Sequence, residues 1–248
     1  MDRLRDLWEE VASYPVCRTE VAMHAFLTRL CELLGAHSAS WLALKKNDTV
    51  PRNIAAENHE VVNDGLGGWA AVAAVYTLNN KNFKAISERW MMLARNEGVD
   101  VMTKALRAAS GKTRVHLRRD LLTDEEWSKD WLSQKFLTHY GVGDRIIAVF
   151  SLNEECESCI ILDRPLGEEG FGETEKNLVY MATAGTPELH KRMFMEHGAL
   201  WSSAPLSKRE RETYRYLLTG MSEGQIAEQM NLSVHTVHDY ARGLYRKF

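Results

Sequence analysis

The stretch LSKRERETYRYLLTGMSEGQIAEQMNLSVHTVHDYARGLYRKF, residues 206–248, spells three short helices separated by sharp turns. Ser207 followed by Glu210 is a capping box, in which the serine oxygen and the glutamate carboxylate each satisfy an otherwise orphaned amide. Tyr214, Leu217 and Leu218 give the first helix one apolar face. Gly220 supplies the left-handed residue that ends it. Ser222 and Gln225 repeat the capping box at the head of a two-turn helix with Ile226, Ala227 and Met230 pointing inward. Asn231 and Leu232 form the turn, and Ser233 caps the third helix.

In that third helix Val237, Tyr240, Ala241, Leu244 and Phe248 recur at i, i+3, i+4, i+7 and i+11, one continuous apolar stripe. The opposite stripe holds His235, His238, Asp239, Arg242 and Arg246, all able to donate or accept hydrogen bonds. A capped helix, buried on one side and polar on the other, has the shape that enters a major groove. Its N-terminal amides are set to meet a phosphate. The plainer alternative is a small bundle whose polar face is only solvated. Agreement of three helices, two capping boxes and both turns in one register favours a reader of DNA.

The segment resembles the LuxR-type, or GerE-type, helix-turn-helix domain of bacterial transcription regulators. The matching residues are Leu206-Ser207 with Arg209-Glu210, Gly220-Met221-Ser222, Ile226-Ala227, and Ser233 with Thr236-Val237 leading to Tyr245-Arg246-Lys247-Phe248. The resemblance implies base contacts from His238, Asp239 and Arg242. It implies backbone contacts from the helix N-terminus at Thr236 and from Arg246 and Lys247. His238 stands where the family usually has Lys, Tyr240 where it usually has His, and Asp239 puts an acid on the reading face. The chain stops at Phe248, before the fourth helix that often forms the family's dimer contact.

Charge supports a division of labour. The 248 residues carry a net charge of −3, but from Pro205 onward seven Lys/Arg face five Asp/Glu, a net of +2 that leaves −5 for the rest. An acidic body with a mildly basic tail fits a regulator in which only the tail touches phosphates. At +2 one tail binds weakly, so a homodimer is expected. With 45% hydrophobic and 26% charged residues the composition is that of an ordinary globular protein. No apolar run approaches the ~18 residues that span a bilayer. MDRLRDLWEEV is amphipathic and acidic, unlike a signal peptide, so a cytoplasmic protein without a membrane partner is expected.

Upstream, a helix is expected over residues 1–13, stopped at Tyr14-Pro15. A second, capped by Thr19, carries the stripe Leu27, Leu30, Cys31, Leu34 and ends at Gly35. Ala39 to Lys45 reads as a strand. This opening, with Gly35-Ala36 and Ala39, loosely resembles GAF-type sensor domains. Asp64-Gly65 and Gly67-Gly68 mark turns, and Trp69 to Leu78 is apolar throughout. Helices are expected near 83–97 and 100–109, and a strand over Val115 to Leu122. Thr123 and Glu126 box the start of a helix carrying Trp127, Trp131, Leu132 and Phe136 as far as Tyr140-Gly141. Ile146 to Leu152 and Cys159 to Leu162, joined by Asn153-Glu154-Glu155, read as a hairpin. A helix follows from Glu173 to about His197, broken at Thr186-Pro187 with Thr186 as a new cap.

The expected fold class is α+β: an antiparallel sheet with flanking helices, GAF- or PAS-like, plus a small all-α helix-turn-helix domain. Boundaries are expected at 1–197 for a sensor or dimerisation domain, 198–205 for a linker and 206–248 for the reader. The helix over 173–197 would transmit between the two and could pair with its twin.

Other chemistry is thin. Cys156-Glu157-Ser158-Cys159 has the spacing of half a zinc site or a redox dithiol, but no second pair lies nearby, and two reduced thiols on a strand is the plainer reading. Gly111-Lys112-Thr113 lacks the upstream glycine of a phosphate loop, and Gly141-Val142-Gly143 lacks the third glycine of a dinucleotide fingerprint. Trp41, Trp69, Trp90, Trp127 and Trp131 could line a pocket, but suit a core better. The Trp-x-x-x-Tyr and Asp-Pro pattern of homoserine-lactone-binding LuxR relatives is absent. No catalytic residue, metal site or cofactor is expected.

The sequence therefore points to a transcription regulator that binds double-stranded DNA as a homodimer through His235, Thr236, His238, Asp239, Arg242, Arg246 and Lys247. An unidentified small-molecule effector and RNA polymerase are candidate partners. The alternative is a regulator whose helix-turn-helix contacts another protein.

Overall fold

The computed structural model describes residues 2–46, 68–77, 80–200 and 206–247. The expected turn at Asp64-Gly65 and residue Gly67 lie outside the described residues, as does Phe248. Helices α1 (Asp2–Ser13) and α2 (Thr19–Leu34) open the chain. They are followed by β1 (Ser38–Lys46), β2 (Trp69–Tyr76), α3 (Asn80–Glu97), α4 (Val101–Ala108) and β3 (Arg114–Leu117). Then come α5 (Asp124–Lys129), β4 (Val142–Ser151), β5 (Cys156–Pro165), α6 (Glu173–Ala184) and α7 (Pro187–Glu196). The strands form one antiparallel sheet in the order β2-β1-β5-β4-β3. Among the described residues no helix is long and apolar enough to cross a membrane.

The sheet is covered on both faces. Ile146 and Ala148 of β4 join one core with Trp41, Ile160, Leu162 and the helix residues Leu7, Phe26, Leu30, Val179 and Phe194. Ile147 and Val149, one residue out of phase, join a second core with Trp69, Leu93, Met102, Trp131, Phe136 and Cys159. Alternate side chains of a strand point to opposite faces, so a strand buried on both sides reads as an unbroken apolar run. That is why Ile146–Val149 shows no polar alternation.

Polar residues in the central strands are matched. Glu157, fully buried, receives both guanidinium nitrogens of Arg114 at 2.9 and 3.1 Å, Arg107 at 3.1 Å and the Gly111 amide at 2.8 Å. On the opposite face, Trp41 Nε1 donates to Ser158 Oγ at 2.6 Å, and that oxygen lies 2.7 Å from His190 Nδ1. His190 also stacks on Phe150, with ring centroids 4.8 Å apart. Burial pushes its imidazole down to about 4.

Several local expectations are corrected. Thr19 does not cap α2: a tight turn over Val16–Arg18 precedes the helix, and the Thr19 hydroxyl donates to Val16 O at 2.7 Å. The strand expected to reach Leu122 stops at Leu117, where Asp120 accepts the Leu117 amide and starts a single helical turn over Arg118–Leu121. The helix boxed by Thr123 and Glu126 breaks at Asp130, which is extended. The chain resumes as a π-helical turn over Leu132–Leu137, ending at Gly141 with φ 69°. The break at Thr186-Pro187 is present, but the Thr186 hydroxyl donates backwards to Ala182 O and Thr183 O, both at 3.2 Å, instead of capping α7. Gly185 beside it is required by packing, since a Cβ there would sit 2.5 Å from the Trp8 indole.

Two measurements check these assignments. Glu157→Ala leaves two buried guanidinium groups unpaired and should cost about 3–5 kcal/mol in urea unfolding. For His190, the folded ring stays neutral down to about 4 while the unfolded ring takes a proton below 6.5. Its contribution is complete above about pH 6.5 and is lost as pH falls toward 4. Unfolding free energies at pH 7, 6 and 5 should fall more steeply for the parent than for His190→Gln, by up to about 1.4 kcal/mol per pH unit.

Candidate nucleic-acid interface

The C-terminal helices are α8 (Lys208–Leu218), α9 (Glu223–Met230) and α10 (Val234–Lys247). Both capping boxes form: the Ser207 amide donates to Glu210 at 2.7 Å, and the Ser222 amide to Gln225 at 2.9 Å. Gly220 takes φ 79°, and Asn231, at φ 51°, is the one non-glycine with positive φ among the described residues. Ile226, Ala227, Met230 and Val237 make a small separate core, with Tyr216, Leu217, Met221 and Leu232 against it. The inward face of α8 differs from the one expected. Thr213 is fully buried and Tyr216 and Leu217 pack inward, whereas Leu218 is exposed and Tyr214 lies near Glu196 of α7.

Helix α10 keeps its two faces. Val237, Ala241 and Leu244 are buried, and Tyr240 is half-buried. The side chains of His235, Asp239 and His238 are 85%, 57% and 50% exposed, and Arg242 and Arg246 are exposed too. The remaining two candidates are engaged within the protein. Thr236 shares a 2.8 Å hydrogen bond with Ser233 Oγ, which also accepts the Thr236 amide at 3.1 Å. Lys247 Nζ donates to Glu210 at 2.7 Å, holding the end of α10 to the head of α8.

Two residues on this surface escaped the sequence reading. Tyr245, 78% exposed, stands three residues beyond Arg242 and adds a ring beside the polar stripe. Glu223, in the first turn of α9, lies 3.1 Å from His238 Nδ1. The capping box at Ser222 placed Glu223 at a helix start, but nothing local pairs it with a residue fifteen positions on.

The helix-turn-helix domain is attached to the larger unit by charge. Arg215 of α8 pairs with Glu196 of α7 and, at 2.6 Å, with Glu20 of α2. Arg211 donates to His197 Nδ1 at 2.5 Å. Burial, together with Arg211 and Arg215, pushes His197 down to about 3, so it stays a neutral acceptor. Burial pushes the Glu196 carboxyl up, against the pull of Arg215. Ala199 and Leu200, expected at the start of the linker, belong to the first core, and residues 201–205 lie outside the described residues.

The cysteine and tryptophan candidates lie in or against the two cores. Cys156 and Cys159 are three residues apart on β5, hence on opposite faces, one in each core. Burial pushes both thiols up to about 11. Among the described residues no group of His, Cys, Asp or Glu could hold a metal ion. Trp41 lies in the first core; Trp69 and Trp131 lie in the second, with Trp90 and Trp127 packed against it.

Residues 204–248 match the family model described as bacterial regulatory proteins, luxR family. No curated protein matches the chain. Among solved structures, Escherichia coli SdiA is similar at 12% identity and a TM-score of 0.50, over 98% of this chain and 89% of that one. SdiA in complex with octanoyl-rac-glycerol is similar at 13% identity and 0.48, over 98% and 87%. The LBD domain of VqsR from Pseudomonas aeruginosa is similar at 11% and 0.48, over 78% and 95%. The SdiA match shows a common fold, an antiparallel sheet with flanking helices followed by a helical C-terminal region. The C-terminal part of this chain, residues 204–248, is a helix-turn-helix domain of the luxR family of bacterial regulatory proteins.

Proposed function

We propose that the protein is a cytoplasmic DNA-binding transcription regulator. Residues 1–197 sense a signal or mediate dimerisation, and residues 206–248 read the major groove. One observation carries the reading: α10 buries Val237, Ala241 and Leu244 while its opposite side stays open from His235 to Arg246. Arg242 donates to a guanine edge, and His238 and Asp239 set the remaining preference. The helix N-terminus at Thr236, with His235 and Arg246, meets the backbone. Lys247 reaches a phosphate only by giving up Glu210. Two copies are needed, because a single domain of net charge +2 gains little from phosphates.

Glu223 and Asp239 place two carboxylates on the reading side, which favours a second reading, docking onto another protein. Salt separates the two. If phosphates are bound, log K for a duplex falls linearly with log [salt]. An unchanged affinity across the salt series selects the protein partner. Arg242→Ala should cost about 1–3 kcal/mol on the selected duplex and flatten preference at one base pair. Equal affinity for selected and random duplexes, before and after the change, removes Arg242 from base reading.

A further inference from the structure

His238 is paired with a residue outside its own helix. His238 Nδ1 lies 3.1 Å from Glu223 Oε2 and 3.3 Å from Oε1, so both carboxylate oxygens face one ring nitrogen. An ionised carboxylate has no proton to give, so Nδ1 must carry the hydrogen and donate it. In the neutral ring the other nitrogen, Nε2, is then bare and can only accept. The ring is half exposed on the open stripe of α10, between Glu223 of α9 and, one turn on, Arg242.

We propose that Glu223 is a positioning residue that holds His238 as a hydrogen-bond acceptor, so that His238 selects a base with a major-groove donor. Those bases are adenine, through N6, and cytosine, through N4. Asp239, an acceptor when ionised, asks for the same kind of edge, while Arg242 asks for the acceptors of guanine. The reading stripe thus divides into an accepting half at His238 and Asp239 and a donating half at Arg242. Had the ring been free to carry its hydrogen on Nε2, it would address guanine as Arg242 does.

This inference rests on the DNA-reading function proposed above, and two measurements on the full chain keep the two apart. In the first, two-bond proton–nitrogen correlation spectra of the 15N-histidine-labelled protein report which nitrogen of His238 is protonated. The expected result is the Nδ1–H form in the parent and a shift toward Nε2–H in Glu223→Ala. A parent ring in the Nε2–H form, or protonated on both nitrogens at neutral pH, overturns the proposal.

In the second, duplexes selected from a randomised pool are compared for the parent, Glu223→Ala and the near-isosteric Glu223→Gln. One position should prefer adenine or cytosine over guanine by roughly three- to tenfold in the parent. Glu223→Ala should lose that preference while the guanine assigned to Arg242 stays. If the hydrogen bond only staples α9 to α10, both variants bind all duplexes more weakly with the preference intact, and the proposal fails. If no duplex is enriched, the DNA reading falls and base selection falls with it, while the spectra still decide whether Glu223 sets the ring.

Discussion

The structure depends on the position of β5 at the centre of a sheet with no wet face. Its neighbours Glu157 and Ser158 point into opposite cores, and neither can reach water. A buried carboxylate without partners costs several kcal/mol, so Glu157 constrains everything near it. Arg107 on α4, Arg114 on β3 and the Gly111 amide converge on it, tying the second layer of helices and the sheet edge to the central strand. Ser158 imposes the same demand on the first layer, where Trp41 and His190 answer it. Each face is thus registered to the sheet by a polar contact inside an apolar core, which adds direction to non-directional packing.

Helix α7 carries that registration outward. His190, on its inner face, is fixed to β5, while Glu196 and the following His197 hold Arg215 and Arg211 of α8. A helix of ten residues therefore touches both the sheet and the helix-turn-helix domain. The break at Gly185-Thr186-Pro187 makes this possible. An unbroken helix from Glu173 would continue along the α6 axis, whereas the break lets α7 turn its own apolar face, Leu189, Met193 and Phe194, into the first core.

The helix-turn-helix domain is held together differently. Its separate core centres on Ile226, Ala227, Met230 and Val237, and even with Ala241 and Leu244 also buried it is too small to hold three helices by burial alone. Caps and ion pairs do the rest: Ser207 with Glu210, Ser222 with Gln225, Ser233 with Thr236, and Lys247 returning to Glu210. With stability drawn from helix ends and one side of α10, the other side of α10 takes no part in that core and can carry polar side chains.

The sequence by itself determined what short-range chemistry controls. The capping boxes, the left-handed turns at Gly220 and Asn231, the two stripes of α10, the β4–β5 hairpin and the break before Pro187 each involve residues within a few positions of one another, or a strict period. Only the tertiary structure decided the rest. Thr19 and Thr186 have the chemistry of caps, but their hydroxyls bond preceding carbonyls. The strand expected from Val115 gives way to a helical turn after Leu117 because Asp120 takes the Leu117 amide. Asp130 splits a run whose apolar spacing alone suggested one helix. Glu157 with Arg107 and Arg114, Arg215 with Glu20, and Glu223 with His238 are pairs separated by 15 to 195 positions. These residues look like ordinary solvated surface until the fold brings them together, because a polar pair depends on separation in space and burial, which no local pattern encodes.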